Sequence, residues 1–173
     1  MTREADNVKI YENALVYLSA LSTRPAIPAD IDTAMGATWI DAGLLDGDSG
    51  FAEERTSDEK EHFAWNQGLI KVSGKNYGLK GTFSPLEDNE VIRELVWPGS
   101  TDTKIKLPKP VYRWMSFETT TDLAEKERRF TTKRARLWVP KDTRNESDIT
   151  KWEVMYQLFA DSAGDVFDKQ IAA

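Results

Sequence analysis

In the stretch ITKWEVMYQLFAD, an extended chain puts Trp152, Val154, Tyr156, Leu158 and Ala160 on one side and Lys151, Glu153, Met155, Gln157 and Phe159 on the other. That two-residue period is the signature of a half-buried strand, whereas a helix of about 3.6 residues per turn would scatter the first set around its axis. Tyr77, Leu79, Gly81 and Phe83 alternate in the same way with Gly78, Lys80 and Thr82. The apolar run ALVYLSA (14–20) and the stretches VYRWMSFETT and ERRFTTKRARLWV extend the series. Strands over 38–45 and 51–56 flank the turn-forming DGDSG, which predicts an early hairpin. Asp161-Ser162-Ala163-Gly164 predicts a turn into a last strand at 166–171, closing a C-terminal β-hairpin over 148–171.

One helix interrupts the strands, expected at about 85–97. Ser84 suits the N-cap, Pro85 the first helical position, and Glu87 stands three residues after Ser84 as in a capping box. Ile92, Leu95 and Val96 form an apolar stripe, and Pro98-Gly99 ends it. Many strands with one amphipathic helix imply a mainly β fold, a β-sandwich or partial barrel with a flanking helix. At 173 residues the expectation is a single domain, 1–173, preceded by an N-terminal segment over 1–13.

Composition narrows the function classes. Hydrophobic residues make up 40% and charged residues 30%, within the range of folded soluble domains. No apolar run approaches the ~20 residues that span a bilayer, and the N-terminus lacks the basic-then-apolar order of a signal peptide, so a cytosolic origin without membrane contact is expected. The absence of Cys removes disulfides and thiolate sites. Charge is uneven: residues 1–100 carry 17 acidic and 9 basic side chains, a net of −8, and residues 101–173 carry 12 and 14, a net of +2. A bipolar chain can attract copies of itself head to tail, a chance imbalance on a solvated surface being the alternative, while its overall acidity repels free nucleic acid.

Each catalytic or ligand-binding reading fails on spacing or on a missing partner. GDSG (47–50) surrounds the nucleophile in trypsin-like proteases, but the only histidine, His62, lies downstream of Ser49 and Phe51 breaks the continuing string. A calcium loop starting at Asp46 would have Gly50 where an oxygen ligand is needed and Ser57 in place of the closing Glu. GLIKVSGKN has one residue too many for a phosphate loop and Asn76 in place of its hydroxyl. One histidine and no cysteine leave zinc without its usual ligands. Glu53-Glu54 point to opposite faces of a strand and cannot flank one glycosidic bond. No catalytic, metal or cofactor-binding residue is assigned, and the chain is expected not to be an enzyme. The basic run with interleaved Phe130 and Trp138 superficially suits nucleic acid; contact with acidic protein surfaces is the reading adopted.

Three polar segments, 23–32, 57–67 and 99–110, have the character of surface arms, the second ending in Phe63-Ala64-Trp65.

TWIDAGLLDGDSGFAEE, FAWNQG, YGLKGTFSPLEDNEVIRELVWPG and RRFTTKRARLWVPKD, followed by a long alternating strand and an Asp-x-x-Gly turn, occur in that order over about 37–171. In that order they resemble the tail-tube, or major tail, proteins of long-tailed phages, particularly those of actinobacterial hosts. The resemblance implies hexameric rings stacked into a virion tail tube, assembled in the host cytoplasm, whose lumen passes genomic DNA without specific binding. Tape-measure, tail-terminator and distal-tail proteins are the implied further partners. It makes Asp41, Asp46, Asp48, Glu53 and Glu54 candidate lumen or ring-edge acids. Arg128, Arg129, Lys133, Arg134 and Arg136 become candidates for pairing with a neighbouring subunit, and Phe63, Trp65, Lys104 and Lys106 for contact between rings. A terminator or distal-tail ring protein, and a monomeric ligand-binding β-barrel with a tryptophan-lined pocket, are the alternatives.

Overall fold

A computed structural model describes residues 8–172, so most of the expected N-terminal segment lies outside the described residues. In chain order the strands are β1 (Tyr11–Ser19), β2 (Ile40–Asp41), β3 (Phe51–Ala64), β4 (Gly68–Phe83), β5 (Val111–Thr121), β6 (Lys126–Thr131), β7 (Ala135–Trp138), β8 (Val154–Leu158) and β9 (Phe167–Ile171), with one helix, α1 (Glu90–Val96). Every pairing is antiparallel. The fold is mainly β, as the alternation requires.

Strand β5 joins the two halves of the structure. One edge pairs with β1; on the other, Ser116 stands opposite Phe130 of β6 and Arg113 opposite Ala135 of β7. Strands β6 and β7 therefore follow one another along the same edge of β5, interrupted at 132–134. At that break the network forks. One branch runs β2-β1-β5-β6-β9, the other β5-β7-β8-β4-β3, and the two fold over each other as a partial barrel.

The inner faces meet in aromatic contacts. Phe117 of the first branch lies 5.4 Å, centroid to centroid, from Tyr156 of the second and 5.0 Å from Phe51. Val16, Leu18 and Met115 from one side, and Phe83, Val154 and Leu158 from the other, complete one buried cluster, into which α1 inserts Ile92, Leu95 and Val96. A second cluster, Trp39, Trp114 and Phe130, lies on the outer face of the first branch. Segment 23–32 straps this face: Arg24 donates to the Phe130 carbonyl, Trp39 Nε1 to the Ala26 carbonyl and Gln170 Nε2 to the Pro28 carbonyl. The expected free arm at 23–32 is thus part of the body.

Three other expectations change. The helix begins at Glu90, capped by Asn89, whose Oδ1 accepts from the Ile92 N–H at 3.0 Å. Ser84 and Pro85 are buried beside Leu45, to which Pro85 bridges, and Glu87 instead accepts from the Leu44 N–H at 2.9 Å. The 148–171 stretch is not a hairpin, because β8 pairs with β7 and β4 while β9 pairs with β6. Likewise DGDSG does not join paired strands. Strand β2 spans two residues and pairs with β1, β3 pairs with β4, and the Gly50 N–H bonds the Asp46 carbonyl at 2.7 Å in a corner between the branches.

Packing between the branches depends on one glycine. The Tyr156 ring crosses β4 at Gly81 so that its hydroxyl donates to the Ala52 carbonyl of β3 at 3.1 Å. A Cβ at Gly81 would stand 2.3 Å from both that carbonyl and the tyrosine ring. Burial pushes the Tyr156 phenol well above the ordinary tyrosine range, so it remains a donor at any physiological pH. Gly81→Ala is expected to destabilise the fold by about 1–3 kcal/mol through overpacking, read as a lower midpoint in urea unfolding.

Candidate assembly surface

Strands β3 and β4 pair along 51–64 and 68–83, but β4 meets β8 only from Leu79 to Phe83. The outer 57–78 portion is therefore a two-stranded ribbon leaving the body, about 26 Å long for the eight residues 57–64 of β3 at ~3.3 Å per residue. A register shift between Thr56 and Asp58 marks the point of departure, and Asn76 there takes a positive φ of 53°. A bulge bends and twists a ribbon at such a point. Asn76 Nδ2 donates to Asp58 Oδ2 at 2.8 Å and secures the bend. The tip turns through Asn66, with φ of 60°, and Gly68, with φ of 72°, conformations that Asn and Gly adopt most readily.

The ribbon has two unlike faces. Glu61 stands opposite Val72 and Phe63 opposite Leu69, while Tyr77 folds over Gly74 beside them. This face continues the inner face of the body, which begins with Phe51, Glu53 and Phe83. The other face carries Asp58, Lys60 and His62 with Lys71, Ser73 and Lys75, and His62 Nε2 pairs with Ser73 Oγ at 3.0 Å. Trp65 at the tip is 97% exposed and Tyr77 80% exposed, and Phe63, Leu69, Ile70 and Val72 are all exposed. A bare two-stranded ribbon is marginal in water, and a cluster of exposed aromatic and aliphatic side chains of this kind marks a contact surface.

The acidic candidates do not form one surface. Asp41 ends β2, exposed, with Oδ1 accepting from the Gly43 N–H at 2.9 Å. Asp46 is bound by Lys151 at 2.9 Å and by the Ser49 hydroxyl, and Asp48 is exposed on the corner. Glu54 is exposed on the outward face opposite Lys80. Glu53 is corrected from an edge acid to an internal partner, for it turns inward and binds Arg129 at 3.0 Å.

Two of the basic candidates are also corrected. Arg128 is buried, its guanidinium bound to Glu118 at 2.6 Å and to the Thr33 carbonyl at 3.1 Å. Arg129 bridges the branches: besides Glu53, its guanidinium stacks within 5.0–5.7 Å of the Phe167, Phe51 and Phe117 rings. Both guanidinium groups are paired with carboxylates of their own chain. Lys133 and Arg134 lie exposed at the β6/β7 break, and Arg136 lies 4.7 Å over the Trp138 ring. Phe63 and Trp65 belong to the ribbon. Lys104 and Lys106 sit on the exposed loop 101–110, after the Trp97 C-cap of α1, at the far end of the body.

An open cleft of about 610 Å³ lies between the first branch and the 41–50 corner. Asp41 and Asp46 line it with Glu12, Glu87 and Glu127, which sequence reasoning did not single out, and no tryptophan borders it. The tryptophans expected to line a ligand pocket are instead divided: Trp39, Trp114 and Trp152 are buried and Trp65 is at the ribbon tip. Among the described residues no group of three or more His, Cys, Asp or Glu side chains has metal-holding geometry. Leu69, Val72 and Tyr77 were missed as contact residues, although GLIKVSGKNY carries the apolar half of the ribbon face.

No protein-family model matches the chain, and no curated protein matches it. Among solved structures it is similar to the tube-terminating cap of the anti-feeding prophage, over 99% of this chain and 100% of that one, at 12% identity and a TM-score of 0.37. An overlap that loose decides neither fold nor function.

Two charge contacts yield tests. Arg129→Met keeps the stem against the rings but leaves Glu53 unpaired in a half-buried position. A loss of about 1–3 kcal/mol is expected, and adding Glu53→Gln should return part of it in the same denaturation measurement. At the corner, hydrogen bonds from Ser49 and Lys151 hold Asp46 below the ordinary aspartate range. A depressed carboxylate stabilises the fold above its unfolded value and loses that contribution as pH falls through the folded one. Amide exchange at Gly50 should therefore quicken, beyond its intrinsic pH dependence, as pH falls below the ordinary aspartate range of about 4. Ser49→Ala should move that change to higher pH.

Proposed function

We propose that this chain is a structural subunit of a phage-type tail, self-assembling into stacked rings that form a tube for DNA delivery. The observation that carries the reading is the ribbon: about 20 residues of paired strand with Phe63, Trp65, Leu69 and Tyr77 exposed, which the chain's own body leaves uncovered. A neighbouring subunit of the same kind can cover it, either by adding a strand to a free edge or by packing on the apolar face. The order of motifs resembling tail-tube proteins and the mainly β sandwich-like fold support the same reading. Hexameric rings, contact with tape-measure, terminator and distal-tail proteins, a place in the virion tail and the absence of enzymatic activity belong to the proposal. Surface carboxylates such as Asp48 and Glu54 suit a wall along which DNA slides without adhering, since like charge suppresses phosphate contacts.

Assembly is the test. The purified chain is expected to give rings or tubes in negative-stain images and a rising light-scattering signal with concentration. A strict monomer at high concentration would overturn the proposal, and single rings that never lengthen would assign the chain to the end of a tube. Because the side chains are exposed, Phe63→Ser with Trp65→Ser should leave the unfolding midpoint within about 0.5 kcal/mol of the parent. The same pair should raise the concentration needed for assembly at least about tenfold.

A further inference from the structure

The acidic cleft and the loop at the opposite end of the body are complementary in charge and in apolar character. Within the cleft, Glu12, Asp41 and Glu87 have no basic side chain paired with them among the described residues, whereas Asp46 is held by Lys151, Glu127 by Lys169 and Arg129, and Arg129, which also lines the cleft, is bound to Glu53. Tyr11, Leu44 and Phe51 supply apolar wall beside them. The volume lies within the range of about 300–1,000 Å³ typical of sites that hold an inserted group. At the other end, 104–109 reads Lys-Ile-Lys-Leu-Pro-Lys, exposed throughout, with Leu107 83% exposed and, among the described residues, no carboxylate within ion-pair distance of Lys104, Lys106 or Lys109. Pro108 and Pro110 keep the stretch extended, so little order remains to be gained on docking.

None of residues 104–109 lines the cleft of its own chain. The loop enters β5 at Val111, and the helix before it is tied to that end by Arg113–Glu94 at 2.7 Å. Thr119, which lines the cleft, stands eight residues further along β5, about 26 Å away at ~3.3 Å per residue. The loop thus joins β5 at Val111, whereas the cleft runs from the level of Ser116, beside Asp41, to Thr121, beside Tyr11; two unlike surfaces of this kind can generate a head-to-tail series between copies.

We infer that residues 104–109 of one copy dock in the acidic cleft of the next, with Lys104 and Lys106 meeting Glu12, Asp41 and Glu87, and Ile105 and Leu107 against Tyr11, Leu44 and Phe51. This rests on the reading of the chain as a stacking subunit and specifies which surfaces meet along the stack.

The test mixes nitrogen-15-labelled and unlabelled full-length chain, treats it with a zero-length carboxylate–amine coupler and maps the products by mass spectrometry. Cross-links between chains joining Lys104, Lys106 or Lys109 to Glu12, Asp41 or Glu87 are expected. In parallel, Lys104→Glu with Lys106→Glu, and separately Glu12→Lys with Asp41→Lys, should each weaken association at least about tenfold. Equimolar mixing of the two variants should restore association, because in an alternating series every loop faces a cleft of opposite charge. Circular dichroism and a thermal melt check that each variant folds, and the restoration on mixing excludes misfolding as the cause of the loss. Assembly without these cross-links, unchanged by either reversal, would overturn the docking and leave the ring proposal standing. Cross-linked pairs that never close into rings would uphold the docking and overturn the ring proposal. A wild-type chain that stays monomeric would overturn both.

Discussion

The rest of the structure depends on the contact between Phe117 and Tyr156, because it is where the two branches of one continuous sheet network meet. Phe117 is on the shared strand β5 and Tyr156 on the central strand of the second branch. The tyrosine reaches it only because residue 81 has no side chain, and its hydroxyl is satisfied by the carbonyl of Ala52. Size, aromatic geometry and a single hydrogen bond thus set the spacing between the branches. The edges are then sealed electrostatically, with the Arg129 guanidinium lying among Phe51, Phe117 and Phe167 while it neutralises Glu53.

This arrangement explains why charge read along the chain was a poor guide to charge on the surface. Arg128 and Arg129 are adjacent, so on a strand they point to opposite faces. One enters the strapped outer layer with Glu118 and the other enters the inner core with Glu53. Lys104, Lys106 and Lys109, spread along an extended loop, keep their charge exposed.

Legibility in the sequence follows the same division between local and distant causes. The strand faces at 152–160 and 77–83 were readable over most of their length, because a half-buried strand repeats its pattern locally: Trp152, Val154, Tyr156, Leu158, Gly81 and Phe83 are buried and Leu79 partly so, whereas Ala160 and Tyr77, at the outer ends, are exposed. The helix was readable in its stripe but not in its start, since Ser84 and Pro85 are recruited by a distant bridge to Leu45 and the nearer Asn89 caps instead. Pairing was not readable. Whether two neighbouring strands form a hairpin depends on which other strands compete for their edges, and both expected hairpins, at 38–56 and 148–171, are transitions between branches. The ribbon over 57–67 was legible only as an arm, because SDEKEH is exposed on both faces and lacks an inward set to alternate with. The cleft was invisible for a related reason: Glu12, Asp41, Glu87 and Glu127 come from four separated parts of the chain.

A strand common to both branches also has a mechanical consequence. In a sandwich of two separate sheets, the layers can slide past each other by exchanging side-chain contacts, at the expense of little backbone bonding. Here sliding would have to shear β5 away from β6 or β7, breaking several ladder hydrogen bonds together. The body is therefore expected to be stiff along the direction of its strands, with compliance confined to the bulge where the ribbon departs and to the loop before β5. Load applied at one end of such a subunit passes to the other through covalent chain and ladder, and not through the packing of side chains alone.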